Sequence, residues 1–158
     1  MQIGLASHGI RIEPAELGHA DVGLLLGAHG REMARRYPDG GWDGTGGRKD
    51  LVWIARSHRG EAVGLVAMRA LAADVVEVKH LYVADSVRRS GVASALMDAI
   101  EAEARRRGAT IVLETGTAQP EALALYAARG YRHRDQYEGC DTNSSCSVYL
   151  TLERQAPG

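Results

Sequence analysis

The chain has 158 residues, 45% of them hydrophobic and 25% charged, the proportions of a globular protein with one sizeable core. Its formal net charge of −1 gives no basis for non-specific attraction to nucleic acid or an anionic membrane, and no apolar run approaches the roughly 18 residues that span a bilayer. A charged start followed by an apolar core is also missing from the N-terminus, so the expectation is a single cytoplasmic domain over residues 1–158.

In chain order, residues 9–13 alternate like a short strand that Pro14 ends. From 15 to 36 apolar residues recur at Leu17, Val22, Leu25, Leu26, His29 and Met33, the spacing of one helix or two. The turn-rich 37–47 reads as a loop, and 51–57 and 62–71 as a hairpin around a polar HRGE. A longer β-branched strand covers 74–83 and completes an antiparallel trio. A helix follows with Val92, Leu96, Ala99, Ile100 and Ala104 on one face, Glu101/Arg105 and Glu103/Arg107 as i,i+4 pairs, and Gly108 as its stop. Then come a buried strand at 110–115, a helix at 119–129 with Pro120 first and Gly130 just past its end, and strands at 131–137 and 146–152. The fold class implied is α+β: a mixed, mostly antiparallel sheet flanked by helices. Cys140 and Cys146, without clustered histidines, make a poor metal site and are expected to stay reduced.

The junction at 87–96, VRRSGVASAL, combines positive charge with bare backbone. The first amides of a helix lack internal partners and carry the positive end of its dipole. Gly91 would let a ligand touch that backbone, Ala93 and Ser94 keep the next turn small, and Arg88 and Arg89 add charge at the rim. A pyrophosphate would suit such a cradle. Equally, Ser90 would cap the helix and the arginines would be solvated. A Walker loop is excluded, because the glycine-rich 40–47 ends in Gly47-Arg48-Lys49. A dinucleotide fingerprint fails too, since Gly91 is the junction's only glycine.

Arg-x-x-Gly-x-Ala over Arg88, Gly91 and Ala93 resembles the acetyl-coenzyme A signature of the GNAT N-acetyltransferase superfamily. A later family pattern, Asn-x-x-Ala-x-x-Leu-Tyr-x-x-x-Gly-Phe/Tyr, is matched by Gln119, Ala122, Leu125, Tyr126, Gly130 and Tyr131. Gln119 departs from the usual Asn. The likeness covers about 75–152 well and the first 70 residues by element order alone. It implies acetyl-coenzyme A as cosubstrate with no metal, and a coenzyme site drawn from Leu81, Tyr82, Val83, Arg88, Arg89, Ser90, Gly91, Val92, Ala93, Ser94, Gln119 and Tyr126.

Acetyl transfer to an amine, directly through a tetrahedral intermediate, poses three problems. An amine of pKa near 10.4 costs about 4.6 kcal/mol to deprotonate at pH 7. Glu77, a charge inside an otherwise apolar strand and eleven residues before Arg88, is the expected base, since histone-acetylating relatives carry their glutamate at that spacing. The competing view pairs Glu77 with Lys79 on a half-wet strand, and His80 is the alternative base. The charge developing on the thioester oxygen needs a donor, which the resemblance places among the amides of 81–83, where interrupted parallel pairing would free them. The departing thiolate leaves more easily when protonated, and the resemblance assigns that task to Tyr126; otherwise Tyr126 is a packed aromatic.

Acceptor recognition is expected in the poorly matched N-terminal region, where Tyr37 and Trp42, beside Asp39 and Asp43, would wall an amine pocket with Glu77 and His80. The leading expectation is a small-molecule amine (amino acid, polyamine or amine-bearing antibiotic). A protein lysine or N-terminus, and a non-catalytic acyl-coenzyme A sensor, are the alternatives. A homodimer would pair through 147–152.

Overall fold

In a computed structural model, which describes residues 3–6, 9–40, 51–140 and 144–154, the elements are β1 (Ile3–Ala6), β2 (Ile10–Ala15), α1 (Ala20–Arg36), β3 (Leu51–Arg56), β4 (Ala62–Ala72), β5 (Val75–Val83), a single 3₁₀ turn (Asp85–Val87), α2 (Val92–Arg107), β6 (Thr110–Gly116), α3 (Pro120–Ala128), β7 (Arg132–Arg134) and β8 (Ser147–Leu152). Among the described residues eight strands form one sheet in the order β1-β2-β3-β4-β5-β6-β8-β7. Only β5 and β6 run parallel; every other pair is antiparallel.

Alternation along the strands divides the interior in two. On one face Trp53, Val66, Met68, Val76, Val78, Ile111 and Leu113 pack against Leu96, Met97 and Ile100 of α2 and Tyr126 of α3. On the other, Val52, Ile54, Leu65 and Ala67 meet Val22 and Leu25 of α1. Helix α1 is continuous: His19 caps it by accepting from the Asp21 amide at 3.0 Å, and Arg35 and Arg36 sit at its negative end. Its buried face is Val22, Leu25, His29 and Met33, so the helical spacing read for 15–36 resolves to one helix.

Three expectations are corrected. Pro14 lies within β2 opposite Trp53; β1 reaches only Ile12, so the missing amide interrupts no ladder. The strand expected at 131–137 shrinks to Arg132–Arg134, because Tyr137 turns into the interior. Glu101 does not serve as an i,i+4 partner on α2. It accepts from Arg129 at 2.8 Å, while Glu103 pairs with Arg107 at 3.0 Å as expected. Strand β8 is also an interior strand between β6 and β7, so both its edges are occupied and the described sheet's edges are β1 and β7.

Candidate active site

The parallel pairing of β5 and β6 covers Val75–Val78 against Thr110–Leu113 and then stops. Beyond it β5 continues to Val83 and β6 to Gly116. Leu81–Val83 therefore keeps β4 on one side and has no strand partner on its β6 side among the described residues, as the interrupted pairing anticipated. An unpaired strand edge offers amides and carbonyls to an extended ligand.

This half-paired segment runs through the 3₁₀ turn directly into the junction before α2. Arg89 and Gly91 both adopt left-handed conformations, with φ of 65° and 84°. Gly91 is the N-cap residue and provides no side-chain cap. The Ser90 hydroxyl donates instead to the Val87 carbonyl, which removes the capping role considered for it. The first backbone bond of α2 is Ala95 N–H to Gly91 O at 3.0 Å, so the amides of Val92, Ala93 and Ser94 precede the helical ladder. A Cβ built on Gly91 would meet nothing within 4 Å. The space above the cradle is open, and the requirement for glycine is the left-handed backbone together with closeness to whatever sits there.

The side chains of the motif mostly serve the protein. Arg88 donates through Nε to Val83 O at 3.0 Å, pairs with Asp85 at 2.8 Å and binds Glu32 of α1. Val92 is buried in the core, and Ser94 accepts from Arg129 at 2.7 Å. Leu81 and Val83 pack on the α2 face. Of the two arginines only Arg89 is exposed. What the junction presents outward is backbone amides and one guanidinium.

On β5, the register against β4 shifts between Lys79↔Ala67 and Tyr82↔Leu65. This β-bulge inserts a residue, and His80 takes a φ of 58°. The bulge resets the alternation. Leu81 and Val83 come onto the α2 face, whereas Tyr82 packs among the α1-side residues and His80 meets the His29 ring of α1 at 5.7 Å between centroids. His29 contacts the Tyr82 ring at the same separation. Burial holds the His29 imidazole down at about 4, against the pull of Glu32.

Glu77 is sealed. It is 0% exposed, accepts from Arg69 Nε at 2.6 Å and from the Tyr137 hydroxyl, and has Lys79 Nζ at 3.9 Å. Arg69 in turn donates to Gly139 O at 2.6 Å, so the segment after β7 closes over the pair. Burial and the neighbouring carboxylate push the Tyr137 phenol upward, keeping it a donor. A general base must touch its proton or reach it through one water; Glu77, the expected base, is enclosed in a buried network, and the half-wet strand of the competing view is absent around it.

Tyr126 lies in the core at 4% exposure, with its ring 5.4 Å from that of Tyr131. Burial raises its phenol and keeps it protonated. Gln119 immediately precedes α3 and donates through Nε2 to the Tyr37 hydroxyl at 3.2 Å, which settles the bond made by the unusual residue. The same hydroxyl accepts from the Ala118 amide at 3.2 Å and presses on Gly116, where a Cβ would overlap it. Tyr37 is thus a buried strut between α1 and the β6–α3 loop. Arg36 reinforces it by donating to Ala118 O at 2.8 Å and pairing with Glu121. Trp42 and Asp43, the other expected wall, lie outside the described residues.

The interior partners Tyr137 and His29 carried weak signals in the sequence. Tyr137 marked the end of an assumed strand. His29 occupied an apolar helical position, which is how a buried histidine reads. Among the described residues no group of three or more His, Cys, Asp or Glu is placed to hold a metal, no disulfide forms, and no helix is long and apolar enough to cross a membrane.

The sequence and the fold resemble those of known proteins. The chain is 32% identical over 99 residues to human N-acetyltransferase 8, covering 59% of this chain and 43% of that protein. It is 30% identical over 105 residues to the uncharacterized N-acetyltransferase YjgM of Escherichia coli K12, covering 64% and 62%. It therefore spans between 43% and 62% of the length of these curated relatives. A Klebsiella pneumoniae structure of the acyl-CoA N-acyltransferase class matches at a TM-score of 0.75 and 27% identity, over 90% of this chain and 95% of that one. The crystal structure of a GNAT family acetyltransferase from Elizabethkingia anophelis, with acetyl-CoA bound, shares the fold at a TM-score of 0.66 and 21% identity, over 92% and 98%. The profile of the acetyltransferase (GNAT) family matches residues 25–131, a span that holds the bulged strand, the uncapped helix and Tyr126 together; the chain belongs to that family.

Proposed function

We propose that the protein transfers an acetyl group from acetyl-coenzyme A to a primary amine of a small molecule. The observation that carries this reading is the continuity of the half-paired β5 with the uncapped N-terminus of α2. One strand and one turn thereby offer an extended arm a hydrogen-bonding edge and a pyrophosphate a set of orphan amides. The bound coenzyme would supply an activated acetyl thioester. Arg89, Ser90, Gly91, Val92, Ala93 and Ser94 would hold its phosphates, mainly through backbone; Arg88 would fix the loop that they form.

A backbone amide of Leu81, Tyr82 or Val83 on the β6 side would meet the charge growing on the carbonyl oxygen. Tyr126, kept protonated by burial, would give its proton to the leaving sulfur. Gln119 and Tyr37 would shape the wall where the β6–α3 loop meets α1. Glu77 contributes from behind, by keeping Arg69, Lys79 and Tyr137 in place beneath the reacting strand.

A small acceptor is favoured over a protein chain because the end of α1 is tied to the β6–α3 loop by Tyr37 and Arg36, which closes that side against a long groove. The related N-acetyltransferase names support amine acetylation as the chemistry.

Thiol release from acetyl-coenzyme A across a panel of amino acids, polyamines, aminoglycoside-like amines and lysine peptides tests the proposal. Turnover with small amines and not with peptides is expected. Peptide-only turnover would reassign the acceptor, and tight coenzyme binding without turnover on any acceptor would mark a sensor. Tyr126→Phe should lower kcat about 10- to 100-fold while leaving coenzyme affinity unchanged.

A further inference from the structure

The bulge in β5 does something the half-paired strand alone does not require. An unbroken strand would send His80 to the α2 face beside Val76 and Val78. The extra residue turns it to the α1 face, the side of Glu77 and Lys79, at the cost of a left-handed backbone at a residue that has a Cβ. Such a conformation persists where the surrounding structure over-determines it. What meets His80 there is another imidazole. His29, 5% exposed on the buried face of α1, sets its ring edge-on at 5.7 Å with an interplanar angle of 84°. His80 itself is half-buried, with its Nε2 covered, and stands on β5 just past the last β5–β6 pair, Val78 with Leu113.

We propose that His80 is the group that takes the proton from the acceptor amine, and that His29 is the positioning residue that fixes the His80 ring. The inference rests on the acetyl-transfer reading above and deepens it. In that reaction the ammonium first loses a proton to His80, which passes it to water. The freed lone pair then forms the carbon–nitrogen bond as the carbonyl π pair moves onto oxygen; when that pair returns, the carbon–sulfur bond breaks and its electron pair leaves on sulfur, which is protonated by Tyr126. The nitrogen's second proton restores Tyr126 through solvent. One ammonium and one thioester become one amide, one thiol and one released proton. Glu77 is too enclosed for the first step, and His80 is the titratable group that the bulge moves to the acceptor side.

His29 suits the positioning role because it stays neutral at working pH, so it adds no charge to compete with a protonated His80. The charged and titratable groups facing it are Glu32 and Arg36 on α1 and His80 and Tyr82 on β5.

The test uses the full chain with acetyl-coenzyme A and the best amine from the panel. His80→Gln is expected to lower kcat 100-fold or more, to leave the coenzyme Kd unchanged, and to regain rate toward pH 10, where about a third of the amine is deprotonated without help. His29→Leu and His29→Phe both fill the buried site with apolar bulk. Leu should lower kcat about 10-fold with KM and coenzyme Kd unchanged, and shift the acid limb of the kcat–pH profile. Phe, which keeps the edge-on ring, should restore kcat to within threefold of wild type. A His80→Gln enzyme with wild-type kcat overturns the proton role, and equal behaviour of the Leu and Phe variants overturns the positioning role. Wild-type protein that turns over no acceptor at all would instead sink the acetyl-transfer reading.

Discussion

The proposed site has two halves, one for coenzyme and one for acceptor, and they are made of different material. The coenzyme end, from β5 through the 3₁₀ turn into α2, is built of backbone: uncapped amides, two left-handed residues and an unpaired strand edge. The acceptor end is built of side chains from distant segments. Glu77 is held by Arg69 and Tyr137, His80 by His29, and the β6–α3 loop by Tyr37 and Arg36. A backbone site depends on local φ values and on the absence of a cap, both of which a decapeptide encodes. A side-chain site depends on which remote residues the fold delivers, and on what their burial does to charge. The first half should be sensitive to backbone geometry, and the second to packing and protonation.

Four measurements sharpen that contrast. The largest effect is expected at Glu77→Ala, which leaves Arg69 beside an empty buried site. Breaking such a pair costs about 3–5 kcal/mol, measured by urea unfolding; a loss below about 1 kcal/mol would mean that the network is not what holds the 137–140 segment down.

Acid should act next. The folded-state value of His29 is about 4, below the ordinary 6.5 of an unfolded histidine. The unfolded chain therefore binds more protons between those values, and stability falls as pH drops from 6.5 toward 4, by up to about 3 kcal/mol. His29→Leu should flatten that part of the stability–pH curve; an unchanged curve would remove His29 as its source.

At the coenzyme end, Gly91→Val should weaken coenzyme binding about 100-fold, near 2.7 kcal/mol. Forcing a side chain into the left-handed region should cost about 1–2 kcal/mol of stability. Gly91→Asn, which tolerates that region, separates the two effects: it should recover most of the stability while binding stays weak. Calorimetric titration showing full affinity in both variants would return this loop to a mere connection.

The smallest effect is expected at Tyr37→Phe. It deletes the acceptor for the Ala118 amide and the Gln119 side chain at about 1 kcal/mol, with KM for the amine rising more than coenzyme Kd. The reverse pattern would move Tyr37 from the acceptor wall to the coenzyme site.

Most of the fold was legible. Each helix carried its own punctuation, such as Pro120 at the start of α3 and Gly108 after α2, and the strands on both sides of the core showed continuous apolar runs. The departures came where a remote partner overrode a local signal. Glu101 left its neighbour on α2 for Arg129 of the next helix, and Tyr137 left an extended strand to reach Glu77. In the proposed site, the uncapped, glycine-dependent junction was readable from 87–96 and so was the exposure of Arg89, but the partners of Arg88 were not. The residue matching the first signature position turned out to brace Val83, Asp85 and Glu32.

By itself, then, the order of residues determined the elements, the glycine-dependent turn and the family pattern around Tyr126, because caps, periodicity and φ preferences act within a few residues. Only the tertiary structure decided that Glu77 is enclosed, that Tyr37 is a strut, and that a one-residue bulge carries His80 across the sheet to His29. Tyr137, His29 and Gln119 stand more than fifty residues from their partners Glu77, His80 and Tyr37, and no short stretch of chain contains such pairs.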